Sequence, residues 1–373
     1  MIVGVPTETK QGERRVALTP LGVTDLVGNG HRVIVQRGAG VASSIPDRDY
    51  DDAGAVVLDR AEDVFGEARL IVKVKEPSGA ETALLTKDHI LFTYLHLAPH
   101  PDVAARLAES GATCVAYETV QLTDGSLPLL APMSEIAGRM SVQVGSRWLE
   151  GGDGGKGKLL GGATGVPPAR VTVLGAGVAG KHAARIASGM GAAVTVMDID
   201  TTKLRRLADE RLPGVATCCS SLRTVEEFAL ASDLIIGAVL VAGGTAPRIV
   251  SEELVRALEN GTVIVDISID QGGCIDTSHE TTHAEPVYTL HGVIHYAVAN
   301  IPGVVPHTST YALTGTTLPY VLALSEGFER AFSRYPELER GINVAAGEYT
   351  HPTVARALGE TTRSPRLALG LAG

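Results

Sequence analysis

Only four cysteines (Cys114, Cys218, Cys219 and Cys274) occur among the 373 residues, none at a metal-binding or redox spacing. That scarcity excludes a disulfide scaffold and suits a reducing compartment. No apolar run approaches the ~20 residues of a membrane span. Met1 to Pro6 holds no basic segment leading into an apolar stretch, so no signal peptide is expected. Positive charge is in the minority: 32 Lys and Arg stand against 42 Asp and Glu, a formal net charge of −10. This balance argues against a nucleic-acid or anionic-membrane partner. Internal repeats of solenoid period are also lacking. What remains is 45% hydrophobic and 20% charged residues, the make-up of a folded protein, expected in the cytoplasm and long enough for two domains.

The chain is organised around Arg170 to Asp200. Val171 to Leu174 reads as a buried strand, followed by Gly175-Ala-Gly177-Val-Ala-Gly180, a helical segment to about Met190, and a second strand from Ala193 to Met197 that ends on Asp198. Strand, glycine turn, helix, strand and acid form the dinucleotide-binding βαβ unit in its required context. Gly175 permits the tight turn. Gly177 lets the backbone approach a pyrophosphate, and Gly180 lets the helix lie close on the strand. The pyrophosphate would rest on the helix N-terminus around Val178 and Ala179, where free N–H groups favour negative charge. Asp198 can accept hydrogen bonds from the adenosine ribose and would repel a 2′-phosphate, which favours NAD. Lys203 and Arg205 lie near enough to keep NADP as the alternative.

The first half alternates strands (Ile2–Val5, Arg32–Gln36, Leu70–Val74, Ile90–Leu95, Thr113–Tyr117) with helical patterns at Pro20–Val27, Glu81–Leu85 and Asp102–Ser110. The second half adds strands at Ala216–Ser220, Asp233–Leu240, Val263–Ile269 and Ile294–Ala299, with a helix at Val250–Leu258. The expected class is α/β: two doubly wound, Rossmann-like domains joined by long helices, with a cleft between them. Met133–Trp148 carries apolar residues at helical spacing and reads as one joining helix; Leu318–Phe332 reads as the return. Gly151–Ala169 is a glycine-rich loop, and the tail from Tyr349 is helical only briefly. A discontinuous substrate domain (1–128 with 307–373) and a nucleotide domain (129–306) are expected.

Ligands in such folds bind at the carboxyl ends of strands, which directs attention to Arg15, Lys75, His96 and Asp270. Lys75 can offer an ammonium to a carbonyl or carboxylate. His96 can act as acid or base near neutral pH, and Arg15 offers a planar fork to a carboxylate. Surface pairing for Lys75 and Arg15, and a core role for His96, are the plainer alternatives. Asp270 is expected at the end of the Val263 strand, facing the cleft, with Asp266 bonded inside the sheet. His279-Glu280-Thr-Thr-His283 matches the zinc-protease pattern letter for letter. The paired β-branched threonines and Pro286 disfavour the helix that such a site needs, so no metal site is expected. His291 and His295, four apart on an apparent strand, would not converge on a metal either.

Several further stretches carry a family resemblance. Gly4-Val-Pro-Thr-Glu-Thr-Lys10 with Glu13-Arg-Arg15-Val-Ala-Leu-Thr-Pro20, Lys73-Val-Lys75-Glu-Pro77, Tyr94-Leu-His96-Leu-Ala98, Ala131-Pro-Met133-Ser134-Glu-Ile-Ala-Gly138, Asp266-Ile-Ser-Ile-Asp270-Gln-Gly-Gly273 and His295-Tyr-Ala-Val-Ala-Asn300-Ile-Pro302 resemble the NAD-dependent alanine dehydrogenases. The likeness runs to about Leu324 and is weakest over the last fifty residues. It implies oxidative deamination of L-alanine by NAD⁺ and water to pyruvate, ammonium and NADH, reversibly, in a homohexamer. Arg15 would bind the substrate carboxylate and Lys75 the carboxylate or keto oxygen. His96 would be the general acid/base and Asp270 the second catalytic residue. Ser134, Gly177, Val178, Asp198, Lys203, Ser220, Val239, Leu240, Ile267, Ser268, Ile269, Asp270, Val298, Ala299, Asn300 and Ile301 match positions lining the cofactor. His279 matches another, where the family leads one to expect arginine. Deamination would rise with pH through a pKa near or somewhat above ~6.5, the unperturbed histidine value. The rival readings are the soluble NAD(H)-binding part of a proton-translocating transhydrogenase, an amino-acid dehydrogenase of lysine type, and a non-catalytic NAD sensor.

Overall fold

A computed structural model describes residues 1–241 and 244–371. The chain divides into two compact units: Met1–Met133 with the chain from Gly303 onward, and Ser134–Val241 with Thr245–Pro302. The first division falls near the start of the helix Ala131–Trp148.

The first unit is built on an eight-stranded sheet, in the spatial order Glu348–Tyr349, Ile342–Ala345, Thr113–Ala116, Ile90–Thr93, Leu70–Val72, Ile2–Val5, Arg32–Gln36 and Val56–Leu58. From Thr113–Ala116 to Val56–Leu58 every pairing is parallel. Ile2–Val5 lies in the middle. The chain winds outward from it to Arg32–Gln36 on one side and later to Leu70–Val72 on the other, which makes the gap between these starts the topological switch point. Ile342–Ala345 and Glu348–Tyr349 close one edge in antiparallel fashion. These edge strands come from the tail, where no strand was expected. Helix Pro306–Ser325 replaces the shorter return helix expected at Leu318–Phe332, and Phe328–Arg334 is a separate helix. Gly327, with φ +100°, parts the two.

Two strands stop earlier than their apolar runs, at Val72 and Thr93 rather than at Val74 and Leu95. Buried carboxylates cause this. Glu8 accepts the N–H groups of Val74 and Lys75 (2.6 and 3.2 Å), and Glu118 accepts those of Leu95 and His96 (3.2 and 2.6 Å). The sheet ladder ends where side-chain oxygens take over its donors.

The second unit has a seven-stranded sheet in the order Val287–Leu290, Val293–Tyr296, Val263–Asp266, Leu234–Gly237, Arg170–Leu174, Ala193–Asp198 and Val215–Cys219. Among the described residues only the edge strand Val287–Leu290 is antiparallel. Val171, Val173, Val194, Val196, Ile236 and Val265 face one apolar cluster; Leu174, Met197, Ile235 and Ile264 face another. Both faces are covered, as in a doubly wound sheet. Arg170–Leu174 and Leu234–Gly237 flank the switch point. The glycine-rich stretch before Arg170 is anchored: Lys156 and Lys158 both pair with Asp233 (3.1 and 2.8 Å).

The strand from Val263 ends at Asp266, not Ile269, and a 3₁₀ turn follows at Ile267–Gln271. Asp266 causes the break. Its side chain accepts the N–H groups of Ser268 and Cys274 (3.1 and 3.0 Å) and so caps the turn instead of bonding inside the sheet. Asp270 therefore sits one turn beyond the strand.

Candidate active site

In the first unit, the loops after the parallel strands gather charge at the switch point. Arg15 follows Ile2–Val5 and Lys75 follows the adjacent Leu70–Val72. His96 follows Ile90–Thr93 and Glu118 follows Thr113–Ala116. Arg15 is 2% exposed and lies in the fork of Glu13: Nε donates to Oε1 at 2.7 Å and Nη2 to Oε2 at 2.5 Å. Nη1 lies 2.8 Å from the Met133 sulfur. Burial alone would raise the Glu13 carboxyl, but the charge and hydrogen bonds of Arg15, with Lys75 beyond, hold it down at about 2.

Lys75 is 3% exposed, and no carboxylate among the described residues closes an ion pair with its ammonium. Its charge is felt by Glu13 and Glu76, and Glu76 is itself engaged by Lys10 at 2.6 Å. Lys73, two residues earlier, differs sharply. Its Nζ is paired with Glu81 at 2.8 Å and Glu8 at 3.3 Å. Although burial would lower the Lys73 ammonium, these two carboxylates raise it. Alternate residues of one segment thus hold a sealed charge and an open one.

His96 has φ +47°, the left-handed region that non-glycine residues rarely adopt. Glu118 holds that turn through the two N–H bonds, and its Oε1 lies 4.0 Å from the His96 Nδ1. The imidazole lies parallel to the Tyr94 ring (5.8 Å, 8°), and Tyr94 donates to the Leu129 carbonyl at 2.6 Å. Glu8, Glu13 and Glu118 escaped the sequence reading. A glutamate at a strand end was the available signal, but its burial depends on long-range packing.

The second unit gathers the other expected positions at the carboxyl edge of its sheet. Gly175, at φ +109°, could not carry a Cβ, which would lie 2.5 Å from the Ala238 carbonyl oxygen. A Cβ on Gly180 would lie 1.8 Å from the Gly175 oxygen, so helix Val178–Gly189 sits directly on the turn. A Cβ on Gly177 would meet no atom of the described residues within 4 Å. Among the described residues no side chain caps the helix, whose first turn includes Val178 and Ala179. An open approach at Gly177 and an uncapped N-terminus suit a pyrophosphate, so these residues fit NAD. Gly138, in the helix that carries Ser134, packs its backbone against the Ala179 carbonyl.

Asp198 ends its strand as expected and has a second task. It accepts from the Ala176 N–H at 2.7 Å and the Asp200 N–H at 2.8 Å. The glycine turn is thereby tied to the acid, which keeps lone pairs for a ribose. Lys203 lies 3.9 Å from Asp198, and the Ser220 N–H meets the Asp198 carbonyl at 3.0 Å. Val239 exchanges hydrogen bonds with the Ser268 hydroxyl (3.0 and 2.8 Å), while Leu240 is exposed. Ile267, Ser268, Ile269 and Asp270 form the 3₁₀ turn. Asn300, between Ala299 and Ile301, donates its N–H to Asp270 at 3.1 Å. Val298 pairs with Thr281.

The zinc-like motif is not helical: Thr281 makes an isolated bridge and His283 lies in a bend. His279 stacks on Tyr288 (3.7 Å, 21°), which in turn stacks on His295 (4.9 Å, 12°). His283 points its Nε2 at the Asn300 carbonyl, 3.3 Å away. His291 lies in the hairpin turn against Glu252 (2.9 Å), whereas His295 bonds Thr277 (2.8 Å).

Comparison with known proteins gives family, sequence and structure matches. The family model "Alanine dehydrogenase/PNT, N-terminal domain" matches residues 4–137, and its C-terminal counterpart matches 141–352. An alanine dehydrogenase of Methanococcus maripaludis is 50% identical over 359 residues, 96% of each chain. One of Mycobacterium tuberculosis is 49% identical over 370 residues, 99% of this chain and 100% of that one. A solved L-alanine dehydrogenase matches with TM-score 0.89 and 46% identity over 96% of this chain and 99% of that chain. A transhydrogenase structure from Sinorhizobium meliloti shares the fold, with TM-score 0.77 at 24% identity over 94% and 99%.

Proposed function

The chain belongs to the alanine dehydrogenase/PNT family, and we infer from that premise that it is an NAD-dependent L-alanine dehydrogenase. L-alanine, NAD⁺ and water give pyruvate, ammonium, NADH and a proton, reversibly. The first unit serves as the substrate and catalytic domain, the second as the NAD-binding domain.

The observation that carries the assignment of residues is the buried Lys75 ammonium, which no carboxylate among the described residues pairs with. A buried charge is costly unless compensated; here the substrate's carboxylate or carbonyl oxygen supplies the compensation. Arg15, locked by Glu13, adds a second positive charge in fixed orientation. When bound, the nicotinamide supplies the hydride acceptor for C2 of alanine. Once the imine has formed, His96 takes a proton from the water adding to C2 and returns it to the departing nitrogen. Asp270, oriented by the Asn300 N–H, is the second catalytic residue. Lys75 steadies the developing oxygen charge. Ser134, Gly175, Gly177, Val178, Ala179, Gly180, Asp198, Lys203, Ser220, Val239, Leu240, Ile267 to Asp270, His279 and Val298 to Ile301 serve the cofactor.

The family resemblance and the low cysteine content support a cytoplasmic homohexamer, which sedimentation of the purified protein would test. The direct test of function is NADH formation, followed by absorbance, with NAD⁺ and L-alanine in alkaline buffer beside glycine, L-serine, L-lysine and D-alanine. Preferential turnover of L-alanine is expected, and His96→Ala should abolish it while NADH still binds. NADH binding without turnover of any amino acid would overturn the assignment.

A further inference from the structure

We propose that His283 is a positioning residue for Asp270 and acts through the backbone of Asn300. The inference rests on the catalytic reading of Asp270. Thr281 pairs in parallel with Val298: its N–H donates to the Ala297 carbonyl at 2.9 Å, and its carbonyl receives the Ala299 N–H at 3.4 Å. Two residues further along both segments, His283 lies beside Asn300. The His283 Nε2 lies 3.3 Å from the Asn300 carbonyl oxygen. A carbonyl only accepts, so Nε2 carries the proton in this contact.

Asn300 is buried and left-handed, with φ +60°. Its carbonyl goes to His283 while its N–H goes to Asp270 Oδ1 at 3.1 Å. One residue in an uncommon conformation therefore links the two side chains. Such a conformation persists only where neighbours over-determine it, and His283 supplies one of the constraints. The loop delivers the imidazole in place: the Thr281 hydroxyl donates to the Pro286 carbonyl at 3.0 Å, and the Glu285 N–H donates to the Thr282 hydroxyl at 3.2 Å. The histidine that imitates a zinc ligand in the sequence is thus a brace beneath a catalytic carboxylate.

The test compares His283→Phe, which keeps a ring but no donor, with His283→Gln, which keeps an N–H donor. His283→Phe should lower kcat roughly tenfold, the scale of a small misplacement of a reacting group, while NADH affinity by fluorescence titration stays near wild type. His283→Gln should recover most of the loss. Hydrogen exchange at the Asn300 amide should accelerate in His283→Phe and in Asp270→Ala but not in His283→Gln. Unchanged exchange or unchanged kcat in His283→Phe would overturn the proposal, as would a glutamine variant as impaired as the phenylalanine one. If the wild-type protein turned over no amino acid, the catalytic reading of Asp270 would fall, and the exchange experiment would still decide whether His283 holds Asn300 against Asp270.

Discussion

Glu13 grips Arg15 at two points, with Nε 2.7 Å from one oxygen and Nη2 2.5 Å from the other, and both side chains are buried. The pair has a consequence in acid. With its folded pKa near 2 against an ordinary 4.5, Glu13 adds stability that is fully present above pH ~4.5 and lost as pH falls through ~2, about 3 kcal/mol in all. Urea titrations of wild type and Glu13→Gln between neutral and acid pH should show the gap narrowing over that window. A constant gap would remove the assigned shift.

Lys73 and Lys75 should respond in opposite ways to the same substitution. Lys73→Met leaves Glu8 and Glu81 buried without their cation and should cost about 3–5 kcal/mol of stability. Lys75→Met removes a buried charge that no carboxylate pairs with, so stability should change by less than ~1 kcal/mol or rise slightly, while alanine turnover collapses. Thermal melts alongside kcat/KM separate the cases. Equal destabilisation by both changes would refute the contrast.

His295 adds a second pH effect. Burial pushes its imidazole down to about 4, against a smaller opposing pull from the Val293 carbonyl. A histidine kept neutral in the fold and protonated when unfolded stabilises fully above the unfolded value near 6.5. The contribution falls by ~1.4 kcal/mol per pH unit down to pH ~4, about 3 kcal/mol in total. Denaturation at pH 7 and pH 4.5 should show His295→Gln losing less stability on acidification than wild type. A parallel loss would place the sensitivity elsewhere.

The elements legible in the sequence were those written locally. Val171 to Asp198 announces strand, turn, helix and acid through residue types a few positions apart, and the structure places them so. The ends of the strands that lead to Lys75 and His96 were not legible, because both runs, Leu70–Val74 and Ile90–Leu95, finish on apolar residues. Glu8 and Glu118 truncate them from distant points in the chain. Likewise, the antiparallel strand Ile342–Ala345 depends on pairing with Thr113–Ala116, a partner remote in sequence. Asp270 was assigned to the right neighbourhood and the wrong element, since Asp266 breaks the strand with its own side chain.

The glycine turn yields the sharpest separation of fold from function. Gly177 and Gly180 stand three residues apart in one motif, yet a methyl group at each meets different surroundings. At Gly177 it enters open space, and at Gly180 it lies 1.8 Å from the Gly175 carbonyl oxygen. Gly177→Ala should therefore fold with a melting temperature near wild type but bind NADH at least ~10-fold more weakly, because the added methyl occupies the pyrophosphate's approach. Gly180→Ala forces backbone against backbone and should lose several kcal/mol of stability through overpacking, ~1–3 or more. NADH fluorescence titration with thermal melting distinguishes the two. A Gly177→Ala protein that bound NADH normally would show that the pyrophosphate does not pass over this turn, whereas an unfolded one would show that Gly177 serves the fold.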